Sequence, residues 1–308
     1  MPNSLSYTYN HLNKIIVAAS FSIILGCGRK TNSYIIISPK NFKVQVPFIL
    51  DARGIIINTY WGKEKIHHVL CLDNYSSSWL KSSVADLSKL LGKSQNLKFK
   101  TYTAVGTPVK GEVGVCDSFT FENITFKKAL FYIMPSELKD NKNDDGVFGG
   151  DLMSTGIWKI DFKNRQLIFT SSIDSLKESK NCEVSFAAFG QEYIKINVSF
   201  GNNIAKTMAI DLGYNGEMIL PLNDFNDITR TKKTSSRFTI FKTPASQNIV
   251  NSLSFFDTVM INHNWFHAMV SSNEKVKERL IGLQFLEKFD FVILDFINKK
   301  MYLPKKVW

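Results

Sequence analysis

The chain carries few cysteines, 4 in 308 residues. One of them, Cys27, closes an N-terminal segment with the layout of an export signal. The remaining Cys71, Cys116 and Cys182 are an odd number, which excludes a complete disulfide framework. Cys71 lies in an apolar strand pattern and reads as a small buried hydrophobe. A Cys116–Cys182 bridge stays open, without support from spacing. A dense basic block is missing as well, despite a net charge of +11. The lysines are spread along the chain, only Arg230-Thr231-Lys232-Lys233 and Lys305-Lys306 cluster, and no nucleic-acid motif accompanies them. This implies a solvated basic surface and no nucleic-acid partner. The apolar run from Ile15 to Leu25 is too short to span a bilayer.

Metal-binding constellations are also lacking. His67 and His68 are adjacent in a strand and point to opposite faces. His263 and His267 would share a face of a helix, but no acidic third ligand lies nearby. Asn141 to Gly146 has the opening rhythm of a calcium loop, yet Leu152 stands where that loop needs glutamate, so a solvated loop is expected. No metal or cofactor is implied.

What is present is a β-rich pattern on a chain long enough for two domains or one bilobal unit. Strand-forming residues dominate the periodic stretches, and Gly and Asn punctuate them. At the N-terminus, Lys14 precedes the apolar run, which ends in Ile24-Leu25-Gly26-Cys27. This resembles a bacterial lipobox, in which the cysteine is lipidated and becomes the new N-terminus. Residues 1–27 are therefore expected to be a lipoprotein signal and lipobox. Anchoring through Cys27 would hold the remainder on a membrane, in the bacterial cell envelope and outside the cytoplasm.

An internal repeat divides the rest. Ile57-Asn58-Thr59-Tyr60-Trp61-Gly62 precedes Val69-Leu70-Cys71-Leu72-Asp73-Asn74-Tyr75-Ser76. In the second half, Ile196-Asn197-Val198-Ser199-Phe200-Gly201 precedes Met208-Ala209-Ile210-Asp211-Leu212-Gly213-Tyr214-Asn215. Further on, Val147-Phe148-Gly149 precedes Trp158-Lys159-Ile160-Asp161-Phe162-Lys163-Asn164. Leu280-Ile281-Gly282 likewise precedes Val292-Ile293-Leu294-Asp295-Phe296-Ile297-Asn298. The spacing from Asp73 to Gly149 nearly equals that from Asp211 to Gly282. The repeat suggests units over residues 34–169 and 182–304, joined by a linker over 170–181. After Asp73 a helix is expected, capped by Ser83 with Asp86, presenting Leu87, Leu90 and Leu91, and stopped by Gly92. Asp161 and Asp295 read as hairpin-turn residues.

Two like lobes that each deliver an aspartate suit one chemistry, a pair of carboxylates sharing a proton. On these motifs, and on the opening Val46-Pro47-Phe48-Ile49-Leu50-Asp51, the chain resembles the bacterial two-lobed members of the pepsin and retropepsin superfamily. The resemblance covers about Val46 to Pro304 and implies an all-β, bilobal pepsin-like fold with a few short helices. It implies that Asp73 and Asp211 are the catalytic pair, facing each other. It also implies that Asn74, Tyr75, Ser76, Gly213, Tyr214 and Gly106 contact a peptide or protein substrate, with the hairpin at Gly106 closing over it. The chain is expected to act as a monomer. The repeat pairs Asp73 with Asp211, which leaves Asp51 as a turn residue.

The family's Asp-Thr-Gly becomes Asp73-Asn74-Tyr75 and Asp211-Leu212-Gly213. In the family each threonine hydroxyl bonds to the opposite loop. Asn74 has an amide that could replace that bond, whereas Leu212 has nothing to offer. Tyr75 must send its ring into the cleft or displace the loop. Two functions follow: an aspartic endopeptidase, or a pseudopeptidase that binds a peptide, protein or glycan without cutting it.

Overall fold

Alternation of apolar and polar side chains decides where the chain turns inward. In the strand Ile194–Phe200, Ile194, Ile196, Val198 and Phe200 are buried while Asn197 faces water. In Lys43–Pro47 the buried residues are Val44 and Val46. This is the period of a half-buried strand. The computed structural model describes residues 17–18, 35–87, 91–92, 98–102, 108–134, 144–179, 183–189, 194–201, 204–230, 233–243 and 246–304. They form a mostly-β protein of two lobes with a few short helices.

The internal repeat is a structural repeat. In lobe one the strand Gly54–Trp61 pairs antiparallel with Ile66–Asp73, turning at Gly62, whose φ of 68° suits glycine. In lobe two Ile194–Phe200 pairs antiparallel with Ile204–Asp211. A short strand then returns beside each aspartate. Gly146–Gly149 runs parallel to Ile66–Asp73 and antiparallel to Trp79–Lys81. Leu280–Gly282 runs parallel to Ile204–Asp211 and antiparallel to Met218–Ile219. The register places Gly149 opposite Asp73 and Gly282 opposite Asp211. Both return strands are buried along their whole length, as expected for strands paired on both edges and covered on both faces.

A 6-stranded sheet joins the lobes. Its centre is the antiparallel pair Ile157–Asp161 from lobe one and Phe291–Asp295 from lobe two. Outward on one side come Gln166–Thr170 and Lys43–Pro47, and on the other Lys300–Tyr302 and Glu183–Ser185. The hairpins at its two ends are closed alike. Asn164 donates through its backbone and side-chain nitrogens to Asp161, and Asn298 does the same to Asp295.

Above this sheet lobe one is packed with aromatic rings. Trp158 stacks on Phe169 with centroids 4.1 Å apart, and Phe119 stacks on Phe126 at 4.9 Å. Phe148, from the return strand, meets Phe126 and Trp158 edge-on. Among the described residues of lobe two, Phe266 packs against Phe285 and Phe289, and Phe225 against Phe255.

Several local expectations change. The helix after Asp73 covers Ser82–Leu87, but Leu91–Gly92 is a strand paired with Val115–Cys116. Tertiary pairing overrides the helical pattern there. His263 lies in a turn and His267 in the strand Asn264–Ser272, so no helix aligns them. Asp144 is buried and paired with Lys81, so this end of the expected solvated loop is packed; Asn141 to Asn143 lie outside the described residues. Cys116 is a free, buried thiol whose pKa burial pushes up to about 12; Cys182 lies outside the described residues. Of residues 1–27, only Val17–Ala18 are described, as a strand parallel to Phe241–Lys242. Cys27 lies outside the described set. Among the described residues no helix is long and apolar enough to cross a membrane.

Trp158 ties the aromatic core to the joining sheet. It is fully buried, and its indole N–H donates to the Met153 carbonyl at 2.8 Å. Trp158→Ala is expected to lower stability by about 3–5 kcal/mol, read from the urea midpoint.

Candidate active site

Asp73 and Asp211 close the two repeated strands, and both are nearly or fully buried, at 3% and 0% exposure. A buried carboxylate needs hydrogen-bond donors, and the turn that follows each aspartate supplies them. The backbone N–H of Tyr75 donates to Asp73 Oδ1 at 3.0 Å. The backbone N–H groups of Gly213 and Tyr214 donate to Asp211 Oδ1 at 2.9 and 3.0 Å. Each aspartate therefore organises its own turn, as Asp does in Asx-type turns.

The two turns are joined through one side chain. Asn74 Nδ2 donates to the Ile210 carbonyl at 2.9 Å, and the Leu212 N–H donates to Asn74 Oδ1 at 3.0 Å. Ile210 and Leu212 flank Asp211, so the residue after Asp73 grips the backbone on both sides of Asp211. The carboxamide has a donor and an acceptor in one plane, and both are used. Leu212 makes no reciprocal side-chain bond and is instead wholly buried in the apolar core. A single amide thus makes two bonds from one side.

The glycines opposite the aspartates are required by close approach. A Cβ on Gly149 would lie 2.4 Å from the Ser77 carbonyl carbon and the Ser78 nitrogen. One on Gly282 would lie 2.3 Å from the Tyr214 carbonyl oxygen and 2.4 Å from that of Gly216. Each turn is hydrogen-bonded onto the end of its return strand. Gly150 N–H donates to the Ser76 carbonyl at 2.7 Å, and Leu283 N–H to the Tyr214 carbonyl at 2.8 Å.

Lobe one adds a polar brace. Ser78 donates through its N–H and its hydroxyl to Asp151 Oδ1, at 2.9 and 2.6 Å, while its Oγ accepts from the Gly149 N–H at 2.9 Å. Burial raises the Asp151 pKa to about 6, although both Ser78 bonds pull the other way. Behind the return strand, His68 Nδ1 lies 3.1 Å from Asp145 Oδ2, which also accepts from Val69 N–H at 3.0 Å. Burial pushes the Asp145 pKa up, but these bonds outweigh it and the carboxyl titrates below its usual range. In lobe two, Asp224 holds Lys206 and Arg279, each at 2.6 Å.

The remaining candidates fall in different places. Ser76 is fully buried and donates its hydroxyl to the Ser77 carbonyl at 3.0 Å. Tyr214 is buried with its ring against Gly216 and Gly282. Asn74 is engaged by the opposite turn. Tyr75 is buried in an apolar cluster with Ala209, Tyr214, Ile219, Val276 and Leu280, and its hydroxyl donates to Glu278 Oε2 at 3.2 Å. Gly106 lies outside the described residues; the flanking strands Lys98–Tyr102 and Pro108–Phe121 form an antiparallel hairpin. Asp51 closes a turn and pairs with Arg53. The sequence contains no signal for Asp151, Glu278 or the His68–Asp145 pair, because each contact joins residues far apart in the chain. Among the described residues no group of three His, Cys, Asp or Glu side chains is placed to hold a metal.

The aspartic proteinase from Irpex lacteus is a solved structure with this fold. The match has a TM-score of 0.58 at 13% identity and covers 86% of this chain and 98% of that one. No protein-family model and no curated protein sequence matches the chain. The architecture is therefore that of a pepsin-like aspartic proteinase.

Two measurements probe this geometry. Asn74→Leu strands two buried backbone groups and is expected to cost about 2–6 kcal/mol, at about 1–3 kcal/mol per unsatisfied group. Asn74→Thr, which keeps a hydroxyl, should recover part of the loss, as read from urea midpoints. The second probe is pH. The folded-state pKa of Asp151, about 6, exceeds its ordinary 3.8, so the folded state holds this proton more tightly. The stabilisation is complete below the unfolded value and is lost as pH rises through the folded value. Asp151→Asn keeps an acceptor for Ser78 and cannot ionise. The stability of wild type relative to this variant should therefore fall between about pH 4 and about pH 6.

Proposed function

We propose that this chain is an aspartic-type endopeptidase in which Asp73 and Asp211 share one proton. The observation that carries the reading is the Asn74 amide, which bonds the turn of Asp73 to the backbone on both sides of Asp211. Like carboxylates drawn together in a buried site share a proton because both cannot ionise cheaply. One carboxylate takes a proton from water as the water oxygen adds to a peptide carbonyl carbon. The other supplies the proton that the departing amine needs when the C–N bond breaks. Donors fixed by the chain's own turns hold the carboxylates in place, so little reorganisation is needed during reaction. The neighbouring fold is that of a proteinase, which is consistent with this chemistry. Lipid attachment at Cys27, with display outside the cytoplasm, belongs to the same proposal.

One observation favours a second reading, that of a pseudopeptidase which binds a peptide, protein or glycan without cutting it. Tyr75 stands where the family has glycine, and its ring is buried beside the strand that ends in Asp211.

The soluble fragment that starts after Cys27 should cleave a mixed peptide pool somewhere between about pH 3 and about pH 7. Cleavage should vanish in both Asp73→Ala and Asp211→Ala. A folded wild type that leaves the pool intact across this range sinks the peptidase reading and leaves the binding one.

A further inference from the structure

Alternation along the second aspartate strand puts Ala209 on the same face as Asp211. The register sets Leu280 beside Ala209, and Ile219 beside Leu280. These three make an apolar patch on the strand face that bears the Asp211 carboxylate. Their neighbours Met208, Ile210, Met218 and Ile281 point the other way, into the lobe-two core, and are fully buried. The patch is covered from both lobes. Tyr75, which follows Asp73 by two residues, joins Ala209, Ile219 and Leu280 in one buried cluster, together with Tyr214 and Val276 of lobe two, and is only 6% exposed. Its hydroxyl is latched to Glu278 of lobe two.

The arrangement is one-sided. The corresponding lobe-one patch, Cys71, Val147 and Trp79, packs with Ile56 and Met134 of its own lobe. The lobe-two residue that corresponds to Tyr75 is Gly213, which has no side chain to send back. An apolar surface next to a buried carboxylate is where a bound peptide would rest a side chain, and here the protein supplies its own.

We infer that Tyr75 determines specificity by occupying the apolar patch beside Asp211, so that the site takes peptides with glycine or alanine at that position and rejects bulky residues. The inference rests on the proposed peptide-binding site but not on hydrolysis. A hydrophobic site distinguishes a missing methylene by about 10-fold or more, and an occupied site excludes a whole ring.

The test uses short peptides with a reduced, uncleavable –CH2–NH– link between two central residues: Phe-Gly, Gly-Phe and Phe-Phe. Binding is measured by calorimetry on the soluble fragment after Cys27. Wild type should bind one of the two mixed ligands at least about 10-fold more tightly than Phe-Phe. Tyr75→Gly should bind Phe-Phe at least about 10-fold more tightly than wild type does, and Tyr75→Phe should behave as wild type. Tyr75→Leu retains an apolar group in the cluster and should fall between them; if Tyr75→Gly does not fold, the comparison of wild type with Tyr75→Leu decides. Equal wild-type affinity for all three ligands, no gain in the shortened variants, or no binding by any protein overturns the inference. Selective binding combined with an uncut peptide pool defeats the hydrolytic reading alone. Efficient wild-type cleavage between two phenylalanines defeats this inference alone.

Discussion

The Asn74 carboxamide is the contact on which the relation between the two halves turns. Each lobe folds its own aspartate loop with local donors, and each loop rests on its own glycine-ended strand. Nothing in those local contacts sets one carboxylate relative to the other. The amide links the two turns, because its donor and its acceptor meet the backbone on either side of Asp211. Both bonds are buried, so breaking them would leave polar groups without water to replace the lost partner. The joining sheet keeps the lobes together, and the amide sets their register at the site.

This constraint explains how the chain tolerates Leu212. Because the amide alone makes both bonds between the turns, the side chain at 212 is free to be apolar, and Leu212 enters the core with no exposed surface. The same economy recurs at the glycines. Gly149 and Gly282 let the turns approach their return strands to a distance that a Cβ would prevent. At Gly216 the nearest obstacle is the ring of Tyr214, and at Gly282 that ring joins the backbone. The result is a dense polar centre in which aspartates, turns and return strands leave little freedom to one another.

Symmetry stops at the electrostatics. Lobe one braces its loop with Ser78 and Asp151, and buries His68 against Asp145 at the far end of the same return strand. Lobe two has Gln284 where lobe one has Asp151, and places another buried carboxylate, Asp224, between Lys206 and Arg279. These opposite environments move the carboxyls in opposite directions. Asp151 is raised by burial, and Asp224 is lowered, its desolvation outweighed by two cations. The ring of Tyr75 extends the asymmetry, since the lobe-two residue at the corresponding position is Gly213, which has no side chain.

The repeat, the strand character and the turn roles of Asp161 and Asp295 were all legible in the amino-acid order. Each depends on period, spacing or local turn chemistry, which neighbouring residues determine. The capacity of Asn74 for a cross-loop bond was legible too, because a carboxamide has both donor and acceptor; that it makes both bonds was not. The destination of the Tyr75 ring, the brace at Asp151, the pairing of His68 with Asp145 and the strand at Leu91–Gly92 were decided only by tertiary structure. Each brings together residues far apart in the chain, and local preference carries no information about which distant surface will be there to meet a side chain.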